Sequence, residues 1–211
     1  LAAASTSAPQ PHRSGSQFFC RSWSLFAALC CARLTLSSAL SVAARGSGGS
    51  KLYIVVNFPH RILRSNLDGS DMEVLVDDVT YPLALAVDRV HHKLYFSVSD
   101  DRSDRIIRSD LDGSNREVLI EGPLAHAIAV DPTLGRLYWS DNSGYRIQSA
   151  RLDGTDVQDL VSELDEPACV GLDPKAGKLY WCDQGAASEI SASDAFGESD
   201  LSRLCVRLKY G

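Results

Sequence analysis

The stretch LYWSDNSGYRIQSARLDG, residues 137–154, decides the fold because its parts recur along the chain. A Leu-Tyr pair recurs with spacings of 42, 43 and 42 residues, at 52–53, 94–95, 137–138 and 179–180. A Leu-Asp-Gly sequence keeps the same period at 67–69, 111–113 and 152–154, with a degenerate copy, Ala-Phe-Gly, at 195–197. An A-x-A-V-D element repeats at 84–88 and 127–131 and survives as VGLD at 170–173. Three separate signals with one period identify a repeat protein.

The third repeat shows what one unit contains. Four short segments, each bounded by Pro, Gly, Asn or Asp, predict strands at 126–130, 136–141, 146–151 and 157–161. Four antiparallel strands in one repeat describe a blade of a β-propeller, and no repeat has room for the helices of a helical solenoid. We therefore predict an all-β fold, a partial β-propeller of four four-stranded antiparallel blades, at about 51–79, 84–121, 126–162 and 168–206.

The choice of residues within a repeat fits a blade. Leu137 and Trp139 alternate with Tyr138, so both sides of this strand are apolar, as in a sheet packed between two neighbours. Each Asp-Gly supplies the positive φ angle that a tight hairpin needs. We assign a structural role to the residues that recur: Tyr53, Tyr95, Tyr138, Trp139, Asp141, Tyr180, Trp181, Asp183, Asp68, Gly69, Asp112, Gly113, Asp153 and Gly154.

LYWSD and LYWCD, followed by Leu-Asp-Gly and preceded by A-x-A-V-D, resemble the YWTD, or class B, repeats of the low-density lipoprotein receptor family over about residues 51–200. The resemblance implies a six-bladed propeller that binds proteins and has no catalytic site. Four repeats against six predict a partial ring, which either belongs to a longer protein or closes against another chain. The first two copies, at 53–56 and 95–98, lack the final Asp of the motif. Those blades should lack a hydrogen bond that Asp141 and Asp183 can make.

The first 50 residues carry no complete repeat. Residues 1–17 are rich in Ala, Ser and Pro, which predicts disorder. Residues 18–50 read as an apolar leader and a Gly/Ser linker, similar to a secretory signal or an organelle transit peptide. Arg21 and Arg33 count against a transmembrane helix. A structural alternative is that ALSV at 39–42, which precedes Lys51 much as ALAV at 84–87 precedes Lys93, forms the inner strand of the first blade.

Two of the six cysteines, Cys169 and Cys182, fall in neighbouring predicted strands of the last repeat. A turn at 174–177 would pair Asp173 with Lys178, and counting back from there places Cys169 opposite Cys182. A cross-strand disulfide is one interpretation, and the one we favour is two small buried thiols. No spacing in the chain resembles a zinc site, so we predict no metal and no cofactor.

The net charge of −6 is unevenly distributed. Residues 1–50 contain four arginines and no acid, which leaves 17 basic and 27 acidic residues for the rest of the chain. An acidic body of this kind argues against a nucleic-acid partner, whose phosphates it would repel.

The acids concentrate in particular loops. In an up-and-down blade the 4→1 and 2→3 loops emerge together, and we call the surface that they form the acidic face. Its predicted acids are Asp77, Asp78, Asp100, Asp101, Asp104, Glu121, Asp141, Glu163, Asp165, Glu166, Asp183 and Glu189, against only Arg102 and Arg105. Our candidate binding residues are Tyr81, Asp101, Asp104, His126, Asn142, Tyr145, Asp165 and Glu166, with His126 as a pH-sensitive contact. The alternative is that these charges serve only to keep the protein soluble.

The function that we predict is a non-enzymatic protein-binding module, extracellular or membrane-associated or lumenal, whose acidic face binds a protein ligand with a basic segment. Its open blade faces also favour self-association. One alternative is a propeller enzyme of the lactonase or strictosidine-synthase type with an axial metal, for which Glu166 and His126 are the only pieces present. Another is a purely structural part of an assembly.

Overall fold

The structure is a computed structural model that describes residues 39–46, 49–100, 103–185 and 189–194, all within one compact unit. For Ala39–Gly46, Gly49 and Glu189–Asp194 it describes the backbone. Within these ranges the chain contains fifteen strands. A search of the same ranges finds no helix with the length and apolar character needed to span a membrane.

The strands form four antiparallel sheets, which we number as blades in chain order. Blade 1 consists of β1 (Ala39–Gly46), β2 (Gly49–Asn57), β3 (His60–Asn66) and β4 (Glu73–Val76). Blade 2 consists of β5 (Pro82–Asp88), β6 (Lys93–Ser99), β7 (Asp104–Asp110) and β8 (Glu117–Glu121). Blade 3 consists of β9 (Ala125–Asp131), β10 (Arg136–Asp141), β11 (Arg146–Arg151) and β12 (Gln158–Val161). Blade 4 consists of β13 (Pro167–Asp173), β14 (Lys178–Asp183) and β15 (Glu189–Asp194).

This arrangement confirms the predicted partial β-propeller, with one difference at its start. Blade 1 starts before the expected boundary at residue 51, because Ala39–Gly46 pairs along its whole length with β2. Residues 39–46 and 49–50 thus belong to the sheet and not to a leader and linker, as the inner-strand alternative predicted. The disordered tail predicted at 1–17, the rest of the leader and the expected last strand of blade 4 lie outside the described residues.

Successive blades pack face to face through two kinds of surface. The trailing face of a blade looks toward the next blade; in blade 1 it consists of Tyr53, Val55, Ile62 and Val76. The leading face receives it; in blade 2 it consists of Leu94, Phe96, Val98, Ile107 and Leu111. Equivalent residues repeat this contact between blades 2 and 3 and between blades 3 and 4. Each second strand contributes alternate side chains to both faces, which explains why it is apolar on both sides.

Hydrogen bonds to backbone carbonyls reinforce the contact between blades. The Tyr53 hydroxyl and the Arg64 Nη1 both donate to the carbonyl of Leu111 in blade 2, at 3.4 and 3.0 Å. One repeat later, the Arg108 Nη1 donates to the carbonyl of Leu152 in blade 3, at 2.6 Å. The Leu-Asp-Gly turn of one blade is therefore bound by side chains of the blade before it.

The glycine of that turn has two roles. Gly69, Gly113 and Gly154 have φ angles of +82°, +81° and +83°, which a residue with a Cβ adopts only with strain. A Cβ on Gly113 would also lie 2.7 Å from the Leu75 carbonyl oxygen of blade 1. A Cβ on Gly154 would lie 2.5 Å from the Leu119 oxygen of blade 2, whereas one on Gly69 would meet nothing within 4 Å. The glycine is thus needed for φ in all three turns and for blade packing in two.

The aspartate beside it holds the turn. The Asp68 Oδ1 accepts hydrogen bonds from the Ser70 amide at 3.0 Å and from the Ser70 hydroxyl at 2.7 Å. These bonds, the hydroxyl bond first, lower the pKa of Asp68 because they stabilise its charged form. Asp112 and Asp153 make the same pair of bonds in blades 2 and 3.

Cys169 and Cys182 lie opposite each other on β13 and β14, in the predicted register. Their Cα atoms are 5.1 Å apart and their sulfurs are joined in a disulfide. The two free thiols that we favoured from the sequence are therefore wrong. In blade 3 the same pair of positions holds Ala127 and Ser140, where the Ser140 hydroxyl accepts the Ala127 amide at 3.0 Å.

Candidate functional site

The loops of the acidic face are tied together by a repeated backbone hydrogen bond. In each of three blades, the residue just after the core of the second strand donates its amide to a carbonyl in the preceding 4→1 loop. The pairs are Ser99 to Tyr81 at 3.1 Å, Asn142 to Leu124 at 3.1 Å and Gln184 to Glu166 at 2.9 Å. Tyr81, Leu124 and Glu166 are therefore structurally equivalent, although their side chains differ completely.

Two further positions on this face vary in the same way. The first residue of the third strand is His60 in blade 1 and Asp104 in blade 2, and Tyr145 stands at that position in blade 3. The second residue of the inner strand is Leu83, His126 or Ala168. The fold demands the same residue types elsewhere in each repeat, so side chains that differ here are not required by the blade. The face thus combines a repeated backbone with unrepeated side chains.

His126 is one of these varying positions. Its side chain is half-buried at the start of β9. Burial lowers its pKa below the ordinary value of 6.5, while the negative charges of Asp104 and Glu166 act in the opposite direction. These three predicted residues come from three different loops or strands, and the fold brings them close enough to interact. Glu166 is exposed and Asp104 is half-buried, so both carboxylates are accessible to a ligand.

Several acids of this face are already paired with arginines. Asp78 binds the Arg116 guanidinium of blade 2 through both oxygens, and this pair lowers the pKa of Asp78. Asp100 pairs with Arg105, and a third pair joins Asp141 to Arg146 with an Nε–Oδ2 distance of 3.0 Å. The sequence analysis counted only Arg102 and Arg105 as cations of the face. More acids of this face are thus paired with arginine than the sequence analysis counted, and within the described residues Glu166 is one of those without an arginine partner.

The two final aspartates of the YWTD-like motif both bind their own 2→3 loop, and the second also binds the preceding 4→1 loop. The Asp141 Oδ1 accepts the Ser143 hydroxyl and the Gly144 amide of its own 2→3 loop, at 2.9 and 3.0 Å. Asp183 accepts the Gly185 amide of its own loop at 3.2 Å. It also accepts the amides of Asp165 and Glu166 at 2.9 and 2.7 Å, and so holds the 4→1 loop that presents the Glu166 side chain.

Blade 2 replaces this aspartate with Val98, yet its loop is not without a cap. The Asp100 Oδ1 accepts the Ser103 amide at 3.0 Å, which performs in a longer loop the role of Asp141. The expectation that blade 2 lacks such a hydrogen bond is therefore wrong. The sequence signal for this bond was Asp100, two positions after Val98, in a 2→3 loop that is two residues longer than that of blade 3.

An exposed aromatic group lies at the blade 1 end of the face, and the sequence analysis named its Tyr81 but missed Phe58 and His60. Phe58, at the tip of the β2–β3 hairpin, is 79% exposed, and Tyr81 is 55% exposed. His60 lies between them: its Nδ1 accepts the Tyr81 amide at 3.2 Å, and the two rings meet edge to face with centroids 4.4 Å apart. Two aromatic residues flanking a hairpin Pro, in NFPH at 57–60, were the available signal.

The remaining candidates are dispersed. Tyr145 is 54% exposed and belongs to the blade 3 loop, where its carbonyl accepts the Leu164 amide at 3.0 Å. Asn142 and Asp165 are held through their backbone amides. Asp101 lies outside the described residues. Within the part of the chain that the structure describes, no three His, Cys, Asp or Glu side chains are grouped to hold a metal ion.

No protein-family model matches the chain, and no curated protein sequence matches it. Solved structures do match. A chain in the crystal structure of a nidogen/laminin complex has 26% sequence identity and a TM-score of 0.63, over 68% of this chain and 56% of that one. A gluconolactonase from Xanthomonas campestris has 18% identity and a TM-score of 0.57, over 68% of this chain and 52% of that one.

The chain thus spans a little over half the length of either structure. The gluconolactonase likeness, at 18% identity, shows the fold alone. The two matches come from a protein–protein complex and from an enzyme, so they agree on the architecture and do not decide the activity.

Proposed function

We propose that this protein is a non-enzymatic protein-binding module whose acidic face binds a basic segment of a partner protein. The observation that carries the proposal is the grouping of Asp104, His126 and Glu166. These side chains break the repeat symmetry, come from neighbouring loops and interact electrostatically. The similarity to a chain of a nidogen/laminin complex, a protein–protein assembly by its name, also supports it.

The chemistry of the face suits a cationic peptide. Carboxylates that are not paired with arginine attract Lys or Arg side chains, and electrostatic attraction of this kind sets specificity and association rate. Tyr81 and Tyr145 are both more than half exposed, and large aromatic side chains are frequent anchors in protein interfaces. The same negative field would repel nucleic-acid phosphates, so we propose that the partner is a protein.

The test is titration of a fluorescent Lys/Arg-rich peptide into the full chain, with a Glu-substituted peptide as control. The affinity should fall as salt rises from about 50 to about 300 mM, because screening weakens interactions between exposed charges. Glu166→Gln and Asp104→Asn should each weaken binding by up to about fivefold, the effect of an exposed ion pair. Asp71→Asn is the matched control, since Asp71 lies in the 3→4 turn of blade 1 at a positive φ that Asn tolerates. Salt-independent binding, or equal loss with Asp71→Asn, would contradict the proposal.

The rival function is that of a propeller enzyme with an axial metal ion. The proximity of Glu166 to His126 is the one observation that favours it. A calcium titration followed by thermal melting distinguishes the two functions, because a tightly bound ion raises the melting temperature. A calcium-dependent rise in melting temperature that Glu166→Gln abolishes would contradict our proposal and support the enzyme. A melting temperature that calcium does not change agrees with our proposal.

We further propose an extracellular or lumenal location, supported by the disulfide between Cys169 and Cys182, since such bonds persist in oxidising compartments. Localisation of a tagged full chain in cells tests this, and a cytosolic distribution would contradict it.

A further inference from the structure

A cavity of about 480 Å³ opens between blades 2 and 3. It lies on the side of the propeller opposite the acidic face, because its residues belong to 1→2 and 3→4 turns and the strand ends beside them. The lining includes three cations, Lys93, Arg108 and Arg151, together with His91 and one acid, Asp153. Pockets for small molecules measure about 300–1,000 Å³, so this one is large enough for a ligand. Basic groups are thus concentrated here in a protein whose net charge is −6.

Two of these basic residues are not required by the blade. His91, in the 1→2 turn of blade 2, corresponds to Leu134 in blade 3. Arg151, just before the Leu-Asp-Gly turn of blade 3, corresponds to Asn66 in blade 1 and Asp110 in blade 2. The fold therefore accepts an apolar residue at the first position and a neutral or acidic one at the second. The two basic exceptions belong to different blades, yet they line the same cavity.

Arg151 is the cation that is most open to a ligand. Its side chain is 66% exposed, and its Nε lies 3.8 Å from the Oδ2 of Asp156. That carboxylate is held more closely by Arg136, with an Nη1–Oδ2 distance of 2.7 Å. A loosely paired guanidinium keeps N–H donors for a ligand, and its planar fork matches the oxygens of a phosphate or sulfate group.

Lys93 and Arg108 are held in place by acids outside the cavity lining. The Lys93 Nζ lies 2.6 Å from the Asp110 Oδ1, and the Arg108 Nε donates to the Glu117 Oε1 at 2.7 Å. These two cations are therefore largely neutralised, and they supply fixed N–H donors more than net charge. The charge of a bound anion would be matched mainly by Arg151.

His91 adds a group with a fixed orientation. Its Nδ1 lies 2.7 Å from the Oδ2 of Asp88, whose side chain is fully buried. An ionised carboxylate only accepts hydrogen bonds, so the ring donates its Nδ1–H to Asp88 and leaves Nε2 for a ligand. That nitrogen donates to an anion when the ring is charged and accepts from a hydroxyl group when the ring is neutral.

We propose that this cavity binds a small molecule through a phosphate or sulfate group. Arg151 matches the charge of the group, Lys93 and Arg108 donate to its oxygens, and the His91 Nε2 contacts it or a neighbouring hydroxyl. A tetrahedral group presents oxygens in several directions, which suits donors that come from two blades, whereas a carboxylate presents only two.

The acidic face does not prevent this binding. The strand Lys93–Ser99 joins the two sides of blade 2, and its seven residues span roughly 20 Å. Charges separated by more than about 10 Å are largely screened at 0.1 M salt. The proposal is independent of the proposed function, because it concerns the other side of the molecule.

The test is isothermal titration calorimetry of the full chain with sodium phosphate, sodium sulfate and sodium acetate at constant ionic strength. We expect saturable binding of phosphate or sulfate and weaker binding of acetate. Glucose 6-phosphate and glucose 6-sulfate then distinguish which of the two groups the cavity prefers. Thermal melting gives a second readout, because a ligand that binds the folded state raises the melting temperature.

The variants use residues that other blades carry at the same positions, so we expect each to fold, and circular dichroism verifies this. Arg151→Asn copies blade 1 and should weaken binding by about fivefold, the upper effect of an exposed ion pair. His91→Leu copies blade 3 and carries the test if Arg151→Asn is unfolded; it should weaken binding by about twofold. Arg89→Asn is the matched control. Arg89 is exposed in the same turn as His91 but does not line the cavity, so its loss should leave binding unchanged.

Three outcomes would overturn the proposal. The first is no saturable heat and no rise in melting temperature with either phosphate or sulfate. The second is an equal loss of affinity with Arg89→Asn and Arg151→Asn, which would indicate a diffuse attraction to this side of the protein. The third is binding of acetate as tight as that of phosphate and sulfate, which would show that the cavity does not select a tetrahedral group.

Discussion

The three glycines of the Leu-Asp-Gly turns allow the contribution of blade packing to stability to be separated from that of the backbone φ angle. Gly69, Gly113 and Gly154 have φ angles within 2° of one another, so replacement by Ala strains the backbone equally at each site. They differ in what the new methyl group would meet. At Gly113 and Gly154 it would overlap a carbonyl oxygen of the preceding blade, at 2.7 and 2.5 Å, whereas at Gly69 the space is open.

The expected losses of stability follow from these distances. A positive φ costs a residue with a Cβ about 1–2 kcal/mol, and this is the whole effect that we expect for Gly69→Ala. At the other two sites either the backbone or the neighbouring blade must shift, and forced overpacking of this kind costs about 1–3 kcal/mol more. Gly113→Ala and Gly154→Ala should therefore destabilise the protein by about 2–5 kcal/mol, a large part of a typical total stability.

The assay is urea denaturation followed by tryptophan fluorescence. The free energy of unfolding should be higher for the Gly69→Ala variant than for the Gly113→Ala and Gly154→Ala variants. Equal losses at the three sites would refute the reasoning, because they would show that φ alone determines the effect and that the turn does not pack on the preceding blade.

Three further predictions concern the core and the site. The double variant Cys169→Ala/Cys182→Ser copies the pair found in blade 3. It should lose about 2–3 kcal/mol of unfolding free energy, because it lacks the loop closure that the disulfide provides. Its melting temperature should not respond to reductant, whereas that of the unmodified protein should. Gln148→Ala removes the acceptor of the buried Trp139 indole N–H, a bond of 3.1 Å, and should cost about 1–3 kcal/mol in denaturant unfolding. His126→Leu should flatten the fall in melting temperature between about pH 7 and pH 5. Because the folded-state pKa of His126 lies below 6.5, the unfolded chain binds the proton first, and stability is lost as the pH drops below that value.

Each of these has a control. Gln158→Ala removes an exposed amide of the same kind and should have little effect on unfolding. For His126, the comparison stops at about pH 5, before the carboxylates with lowered pKa values, such as Asp112 and Asp153, begin to titrate. If His126→Leu leaves the pH dependence of the melting temperature unchanged, the burial of this imidazole does not contribute to the loss of stability at low pH. A reductant response in the Ala/Ser double variant would contradict the assignment of the effect to the disulfide.

The fold could be predicted because its signals are local and repeated. Each blade places short strands, one of them apolar on both sides, in about 42 residues, and the first three blades share the Asp-Gly turn. The pairing of Cys169 with Cys182 followed from counting residues along a hairpin, and it was correct. Whether the sulfurs bond did not follow, because the register of two strands fixes which residues are opposite and not their chemistry.

The start of blade 1 was harder to predict for a different reason. The residues of β1, in ALSVAARG, suit a signal sequence as well as a strand, since both are apolar and rich in small residues. Only pairing with β2 distinguishes them, and that pairing is a contact between two segments and not a property of either.

The sequence by itself determined the number of blades, the position of their turns and the face on which acids collect, because these depend on period and on loop order. Only the tertiary structure decided which acids remain available, since Arg116 reaches Asp78 from the neighbouring blade. It also brought Asp104, His126 and Glu166 together. Each of these depends on how one blade packs against the next. The repeat pattern in the sequence shows which segments are equivalent, but it does not give the distances between residues of different blades.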